Sequence, residues 1–251
     1  MRRPRWVMGV AVPAALLMVF GMAGCASDES GSPAQSDVCQ QDEFGCLTVA
    51  SGEPIKVATL LSITGENRSL GIDSQRGVVL AVDNLDGKLD GKPGQLLGHN
   101  VELVNGDETC SKEGGQSGAT KLAADPKILS VIGTSCSSSA LGVSDTIFSK
   151  KGMLLISPSN TGPSLTAEGQ HQPFYLRTAH NDKLQGAAVA NFAFNEAGWQ
   201  TASTIHDGSP YADGLQQVFA DTFSGLGGTI ANLRGHIESL VGRVVLCPLV
   251  S

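Results

Sequence analysis

The sequence predicts an α/β fold built on a doubly wound parallel sheet, and three observations support this prediction. Short apolar, β-rich segments alternate with longer helical segments along most of the chain. The apolar segments are continuous rather than alternating, as expected for strands that are buried on both faces of a parallel sheet. The 251 residues, 41% of them hydrophobic, are enough for one large domain or two small ones with a buried core.

The predicted elements follow one another in a regular order from residue 54 onward. The first strand ends at a turn over 62–65, and Asp125 with Pro126 ends the second helix. The predicted strands are 55–61, 101–105, 128–132, 153–156, 174–177 and 201–205, and a further one starts at 229–231. The predicted helices are 71–85, 111–124, 138–149, 182–197 and 211–223.

The charge balance argues against a nucleic-acid partner. The chain has 17 Lys and Arg against 24 Asp and Glu, a net charge of −7. No basic cluster of the size that binds DNA or RNA occurs in the sequence.

The N-terminus is predicted to be an export signal. Three arginines among the first five residues precede an uncharged segment over 6–23, which ends in small residues before Cys25. This pattern resembles a bacterial lipobox, which implies that 1–24 is a signal peptide and that Cys25 carries the lipid. Cleavage would remove three arginines and no acidic residue, taking the net charge from −7 to −10. A single membrane-spanning anchor remains the alternative.

Residues 25–53 are polar and are predicted to form a flexible tether. Within it, Cys39 and Cys46 lie seven positions apart and could close a small disulfide loop. Cys110 and Cys136 each follow a predicted strand, which would place them at the same edge of the sheet. Cys247 is left without a predicted partner. Metal binding is disfavoured, because the cysteines and histidines lack the usual ligand spacing.

Three loops at the carboxyl ends of predicted strands are candidates for a binding site: 62–70, 133–139 and 157–161. In an open parallel sheet, ligands bind at such loops. The second loop, GTSCSSS, leads into a helix, and its serine hydroxyls and backbone amides favour an anion. It lacks the lysine and spacing of a phosphate loop, so the carboxylate of a small zwitterion fits better. Simple capping of the helix by serine is the alternative interpretation.

An enzymatic function is disfavoured by the same residues. A serine hydrolase would require a G-x-S-x-G turn and a histidine base, and no such turn is present. His206 and Asp207 end a strand in another part of the chain, with nothing in the sequence to bring them to Ser137.

Two stretches, 108–166 and 203–219, resemble the leucine/isoleucine/valine-binding proteins. Strand, cysteine, serine loop and S-P-x-x-T loop occur in the same order and spacing, and the resemblance extends from about 54 to 230. These proteins are extracytoplasmic receptors of branched-chain amino-acid ABC transporters and have the type I periplasmic-binding-protein fold. The resemblance therefore implies a solute-binding protein without catalysis, metal or cofactor, whose partners are a small-molecule ligand and an ABC permease.

The resemblance also implies which residues contact the ligand. Ser137 matches the serine that hydrogen-bonds the ligand α-carboxylate, and the backbone of Ser135 and Cys136 lies beside it. Asn160 and Thr161 match positions that contact the polar end of the ligand.

The resemblance also includes one position in the second lobe, one in the first loop and a pair of cysteines. Tyr211 matches an aromatic residue that closes over the ligand. Leu70 stands where family members often have an aromatic side chain, which leaves the preferred ligand side chain open. Cys110 and Cys136 match the disulfide pair of the family.

The C-terminal part departs from the family pattern. Family members continue well beyond this length, and their acidic residue for the ligand ammonium lies in that later region. We therefore expect a complete core of lobe one (54–177) and an incomplete lobe two (178–231). The tail 232–251 does not resemble the family, and a truncated or frame-shifted product is favoured there. The alternative is an amphipathic helix with apolar residues at helical spacing: Leu233, Ile237, Leu240, Val241 and Val244.

The sequence thus predicts an exported solute-binding protein of an ABC importer, lipid-anchored at the outer face of the cell membrane. Its predicted ligand is a branched-chain amino acid or a similar small polar solute. Two alternatives stay open, namely a ligand sensor on the same fold for amides or urea, and a secreted serine hydrolase that uses Ser137.

Overall fold

The structure is a computed structural model that describes residues 37–235 and 245–248. The chain divides into two units: the short helix α1 (Asp37–Gln41) is the described part of the first, and the other described residues belong to the second. The predicted signal peptide, Cys25 and most of the predicted tail helix lie outside the described residues. No helix in the described ranges is long and apolar enough to cross a membrane.

The larger sheet of the second unit has six strands: β1 (Ile55–Leu61), β2 (Gln95–Leu96), β3 (His99–Asp107), β4 (Ile128–Gly133), β5 (Leu154–Ser157) and β6 (Tyr175–Arg177). Their order is β2-β3-β1-β4-β5-β6. β1 lies near the middle and pairs in parallel with β3 and β4, and β5 and β6 continue the sheet in parallel. The edge strand β2 runs antiparallel to β3.

The smaller sheet has three strands: β7 (Thr201–His206), β8 (Thr229–Gly235) and β9 (Val245–Pro248). β7 is central, pairing in parallel with β8 and antiparallel with β9. The larger sheet ends at Arg177, close to the predicted boundary between the two lobes. The lobe boundaries themselves stay a prediction.

Five further helices connect the strands: α2 (Arg68–Asp83), α3 (Lys112–Leu122), α4 (Ser137–Val143), α5 (Asp182–Asn191) and α6 (Pro210–Gly225). Side-chain oxygens cap three of them, because Ser111, Asn181 and Ser209 each accept a hydrogen bond from an amide of the first turn. π-helical turns continue α4 over Ser144–Phe148 and α5 over Phe192–Glu196.

Each sheet has its own apolar core. The core of the larger sheet includes fully buried side chains from β1, β4, α4 and β5, among them Leu60, Val131, Val143 and Leu155. The core of the smaller sheet centres on α6, where the rings of Phe219 and Phe223 stack with centroids 5.4 Å apart. These buried faces explain why the apolar segments were recognisable as strands and helices.

The connections of the larger sheet reverse direction beside β1. The chain passes from β1 through α2 to β3 on one side, and then through α3 to β4 on the other side. Because such crossovers are right-handed, α2 covers one face of the sheet, and α3 and α4 cover the other. The loops after β1 and β4 therefore diverge, which opens a crevice at their carboxyl ends.

The α/β fold is confirmed, and the differences from the prediction concern short or terminal elements. β2 was missed because two exposed residues give no periodic signal. The predicted helix over 138–149 is α-helical only as far as Val143. The alternative prediction of a helix in the tail is wrong at Leu233, which lies in β8. This segment forms a strand because pairing with β7 provides its backbone hydrogen bonds.

Candidate functional site

A cavity of about 500 Å³ lies at the crevice beside β1 and β4. Its walls come from the segments that follow β1, β3, β4, β5 and β6, and from the loop after β7 with the start of α6. Six of the seven predicted ligand residues line it: Leu70, Ser135, Cys136, Ser137, Thr161 and Tyr211. Residues that were not predicted to contact a ligand complete the lining: Asn67, Cys110, Ser138, Ser159, His180, Gln185, Asp207 and Ser209.

Ser137 presents a hydroxyl that is oriented by the fold. Its side chain is buried, and its Oγ accepts a hydrogen bond from the amide of Gly162 at 3.2 Å. A Cβ at position 162 would lie 3.1 Å from this Oγ, so glycine permits the close approach. Because the oxygen already accepts from Gly162, the hydroxyl proton is left to donate, which suits an anionic ligand group.

Ser135 and Cys136 line the cavity, but their backbone amides point away from it. Both amides donate to Oε1 of Glu108, at 3.1 and 3.2 Å. The Ser135 hydroxyl accepts from the amide of Ser62 at 3.0 Å, and its carbonyl accepts from the Ser159 hydroxyl at 2.9 Å. These two amide donors are thus used by the fold, and the prediction that this backbone lies at the ligand site stays a prediction.

Glu108 is the buried residue behind this loop. Burial, with a smaller contribution from the negative charge of Asp107, raises the pKa of its carboxyl to about 7. Hydrogen bonding by the Ser139 hydroxyl and by the amides of Cys136 and Ser135 lowers the pKa of Glu108. The second carboxyl oxygen, Oε2, is buried and has no hydrogen-bond partner among the described residues.

Thr161 leads to a second buried carboxyl, that of Asp182. The Asp182 amide donates to the Thr161 carbonyl at 3.0 Å. Both Asp182 carboxyl oxygens are buried and lack a hydrogen bond of normal length within the described part of the chain. Burial raises the pKa of Asp182, while the nearby Thr161 hydroxyl and the charges of His180 and Arg177 lower it. Such a carboxylate is suited to a cationic partner.

Tyr211 closes the cavity from the side of the smaller sheet, as the second residue of α6. Burial raises the pKa of its phenol, and the negative charge of Asp182 raises it further. Asp182 therefore lies between two residues that line the cavity, Thr161 and Tyr211.

The structure does not bring Asn160 to the cavity. Its side-chain oxygen accepts hydrogen bonds from the hydroxyls of Thr134 at 3.1 Å and Tyr175 at 3.2 Å. Its backbone amide donates to the Ser157 hydroxyl at 2.9 Å. Asn160 thus supports the loop after β5 through hydrogen bonds to the fold, and its contact with the ligand stays a prediction.

A disulfide joins Cys110 to Cys136, with Cα atoms 5.1 Å apart. It ties the turn after β3 to the loop after β4, and both cysteines line the cavity. Thr109 and Cys110 both have positive φ, at 49° and 53°, so the turn that carries the first cysteine is sharply bent. The pairing of Cys39 with Cys46 stays a prediction.

The remaining wall is polar apart from Leu70, which is 44% exposed. His180 and Gln185 are hydrogen-bonded to each other at 2.9 Å. On the same side, Asp207 accepts from the amide of Ser209 at 2.9 Å, and the Ser209 hydroxyl caps α6.

The geometry of Ser137 offers no support for hydrolase chemistry. Each of the four histidines in the described ranges is hydrogen-bonded to a residue other than Ser137; they are His99, His171, His180 and His206. No cluster of three side chains able to hold a metal ion occurs among the described residues.

Sequence reasoning missed the two buried carboxyls. Glu108 directly follows β3, so it lies at the same edge of the sheet as the serine loop. An acidic residue at that position was the signal that could have revealed it. Asp182 follows the capping residue Asn181 and resembles an ordinary acidic residue in the first turn of a helix. Only the folded structure shows that it is buried beside Thr161.

Comparison with known proteins adds three relationships. A family model described as Periplasmic binding protein matches residues 54–236. The chain is 31% identical to the Leu/Ile/Val-binding protein of Escherichia coli (strain K12) over 182 residues, which make up 70% of this chain and 47% of that protein. It is 27% identical to an amino acid binding protein of Pseudomonas aeruginosa over 164 residues, or 65% of this chain and 42% of that protein.

Among solved structures, a leucine binding protein from Thermotoga maritima shares the fold. The TM-score is 0.64 at 25% identity, over 74% of this chain and 49% of that one. The chain spans about half the length of the relatives it matches.

Proposed function

Because the chain belongs to the periplasmic binding protein family, which places it outside the cytoplasm, we propose that it binds an amino acid and presents it to an ABC permease. The resemblance deduced from the sequence is confirmed, and the matched region ends at residue 236, beyond the expected 230. The proposed role is binding without catalysis, in keeping with relatives that are named as binding proteins.

One observation carries the proposal: a hydroxyl donor and a buried carboxylate flank the same loop of the cavity. Adjacent residues of that loop hold both groups, since the Gly162 amide bonds Ser137 and the Thr161 carbonyl bonds the amide of Asp182. A hydroxyl donor suits a carboxylate, and an unpartnered carboxylate suits an ammonium. A zwitterionic amino acid satisfies both, and a cavity of about 500 Å³ is large enough for one.

The side chain of the ligand is proposed to be aliphatic or small and polar. Two relatives carry names that state Leu/Ile/Val binding and amino acid binding. Leu70 supplies an apolar contact at the cavity, whereas Asn67, His180 and Gln185 supply polar ones. The ligand site proposed here comprises Leu70, Ser137, Thr161 and Tyr211, with Asp182 behind them.

The lipid anchor forms part of the same proposal. It rests on the basic N-terminus, the uncharged segment over 6–23 and the small residues before Cys25. An anchored receptor stays close to a permease in the membrane. Labelling of the expressed protein with a radioactive fatty acid, and loss of the label in Cys25→Ala, would test it. Equal labelling of both proteins would contradict it.

A thermal unfolding scan of the full chain with a panel of solutes tests the function. The panel contains L-leucine, L-isoleucine, L-valine, polar amino acids, acetamide and urea. A solute present at about 100 times its Kd adds about 2.7 kcal/mol to stability, so we expect an amino acid to raise Tm by about 5–10 °C. A cooperative transition that no amino acid shifts would contradict the proposal. A shift with acetamide or urea alone would favour a receptor for amides.

A further inference from the structure

Glu108 lies directly behind the loop that lines the cavity. It is completely buried, and its backbone amide donates to the carbonyl of Leu61 at the end of β1. Its Oε1 accepts from two successive loop amides, those of Ser135 at 3.1 Å and Cys136 at 3.2 Å. One side chain thus fixes the orientation of both peptide groups.

Only one layer of backbone separates Glu108 from the cavity. Ser135 and Cys136 line the cavity on one side and bind Glu108 with their amides on the other. Because the interior has a low effective dielectric, a negative charge on Glu108 acts through this layer on an anionic group bound at Ser137. Oε1 is already occupied by two donors, whereas buried Oε2 has no partner among the described residues and is the free position for a proton.

On the basis of the proposed function, we propose that Glu108 is the positioning residue of the ligand loop and that it takes up a proton when the cavity binds a ligand carboxylate. The proton comes from solvent and resides on Oε2, while Oε1 keeps both amide hydrogen bonds. The charge that would repel the ligand is thereby removed without loss of the loop conformation.

The surroundings of Glu108 favour this linkage. Burial, with a smaller contribution from the charge of neighbouring Asp107, raises the pKa of the carboxyl to about 7, so the proton equilibrium lies near neutral pH. Lys112, at the start of α3, extends along α4, where its Cγ would lie 2.9 Å from a Cβ on Gly142. The other described residues that contact or flank Glu108 on β1, on the loop after β4 and on α4 have no titrating side chain: Leu61, Ser62, Ser135, Cys136 in its disulfide, and Ser139.

The sign of the expected pH dependence follows from this linkage. Above about pH 7 the free protein carries a charged Glu108, and binding an anion there requires uptake of a proton. Affinity for the ligand therefore falls as pH rises through this range. Ionisation of Asp182 changes the affinity in the opposite direction: it strengthens binding as pH rises, because the ionised carboxylate attracts the ligand ammonium.

Calorimetric titration of the full chain with L-leucine, at pH 6.5 and pH 8.5, tests the inference. We expect Kd to be about five- to tenfold weaker at pH 8.5, because one pKa unit of coupling corresponds to a factor of ten. At pH 7.5, titrations in phosphate and in Tris, which differ in heat of ionisation, should show uptake of a fraction of a proton by the wild type. This second measurement needs no variant.

Glu108→Gln keeps an oxygen acceptor for both amides but cannot ionise, so its affinity should no longer fall between pH 6.5 and pH 8.5. The exposed Glu168→Gln is the matched control and should keep the wild-type dependence. A fall in affinity with rising pH that persists in Glu108→Gln would come from another group and would overturn the inference. So would leucine binding without proton uptake, while leaving the proposed function intact. Absence of leucine binding at both pH values in a folded wild type would contradict leucine as the ligand and, with it, this inference.

Discussion

Ser137 and Glu108 lie on opposite faces of the loop after β4. Glu108 binds the loop to the rest of the fold, and Ser137 is the proposed contact to the ligand. Glu108 holds the amides of Ser135 and Cys136, whereas the Ser137 hydroxyl keeps a proton to donate into the cavity. Serine spacing alone pointed to this loop, which lines the cavity; its binding of an anion stays a prediction. The spacing could not show which donors face the ligand, because that depends on a carboxyl contributed by the end of β3.

The stability of the unliganded protein should depend on the ionisation of Glu108. Burial raises its pKa from 4.5 to about 7, so this group stabilises the fold fully below about pH 4.5, and the stabilisation is lost as pH rises through 7. Relative to Glu108→Gln, the wild type should lose about 3 kcal/mol between pH 4.5 and pH 8, at 1.36 kcal/mol per pKa unit. Urea unfolding of both proteins across this range measures the difference, and parallel stability curves would contradict the assignment.

Asp182→Asn should raise stability and abolish amino-acid binding. Burial of the Asp182 carboxylate raises its pKa, so removing its charge relieves a desolvation cost at neutral pH. The same change removes the proposed partner of the ligand ammonium. Thermal unfolding with and without L-leucine measures both effects. The exposed Asp145→Asn should change neither, and a leucine-dependent shift retained in Asp182→Asn would contradict the role of Asp182 in the site.

Helix α2 is held against the loop after β1 by a single glycine. A Cβ on Gly71 would lie 1.9 Å from the carbonyl oxygen of Ser62, so only glycine lets the helix approach the backbone. This contact places Leu70, the preceding residue, at the cavity. The sequence predicted the helix from its apolar residues, but it gave no sign that Gly71 lies against backbone.

Two glycine substitutions in α2 test this packing. Gly71→Ala should destabilise the protein by about 2 kcal/mol or more, because the backbone must move to relieve the clash. Gly77→Ala, in the same helix, meets no atom within 4 Å and should stabilise by about 0.5–1 kcal/mol. Urea unfolding compares the two, and equal effects would show that α2 does not contact the Ser62 backbone as described.

The disulfide links two strands at the edge that carries the site. Cys110 and Cys136 are separated by 26 positions in the sequence, which corresponds to about 3–4 kcal/mol of stabilisation in the chain-entropy model. The double variant Cys110→Ser/Cys136→Ser should lose about that amount and bind ligand more weakly, because both residues line the cavity. Chemical unfolding and calorimetry check the two effects. A variant with wild-type stability and affinity would contradict them.

At the scale of the whole molecule, the cavity combines residues from the larger and the smaller sheet. The loops after β4 and β5 provide most of the hydroxyls, and the loop after β7 with α6 provides Tyr211. α6 packs against α4 beside the cavity. Binding between two such parts commonly stabilises a closed arrangement, because the ligand contacts both sides.

Much of this arrangement follows from the sequence pattern. Alternating strands and helices predicted the fold, and the rule for parallel sheets placed three loops at one edge, where the cavity is. Pattern reasoning did not show that the Asn160 side chain accepts a hydrogen bond from Thr134, or that Asp182 is buried beside Thr161. Side-chain direction in loops is set by tertiary contacts, which a single sequence does not display.

The central claim is that the cavity binds an amino acid through Ser137. Calorimetric titration of the full chain with L-leucine, in the wild type and in Ser137→Ala, tests it most directly. Loss of a hydrogen bond to a charged group costs about 1.5–3 kcal/mol, so we predict a Kd that is about 10- to 100-fold weaker in Ser137→Ala. Ser224→Ala, on an exposed position of α6, should bind as the wild type does. Equal affinity of Ser137→Ala and the wild type would contradict the claim.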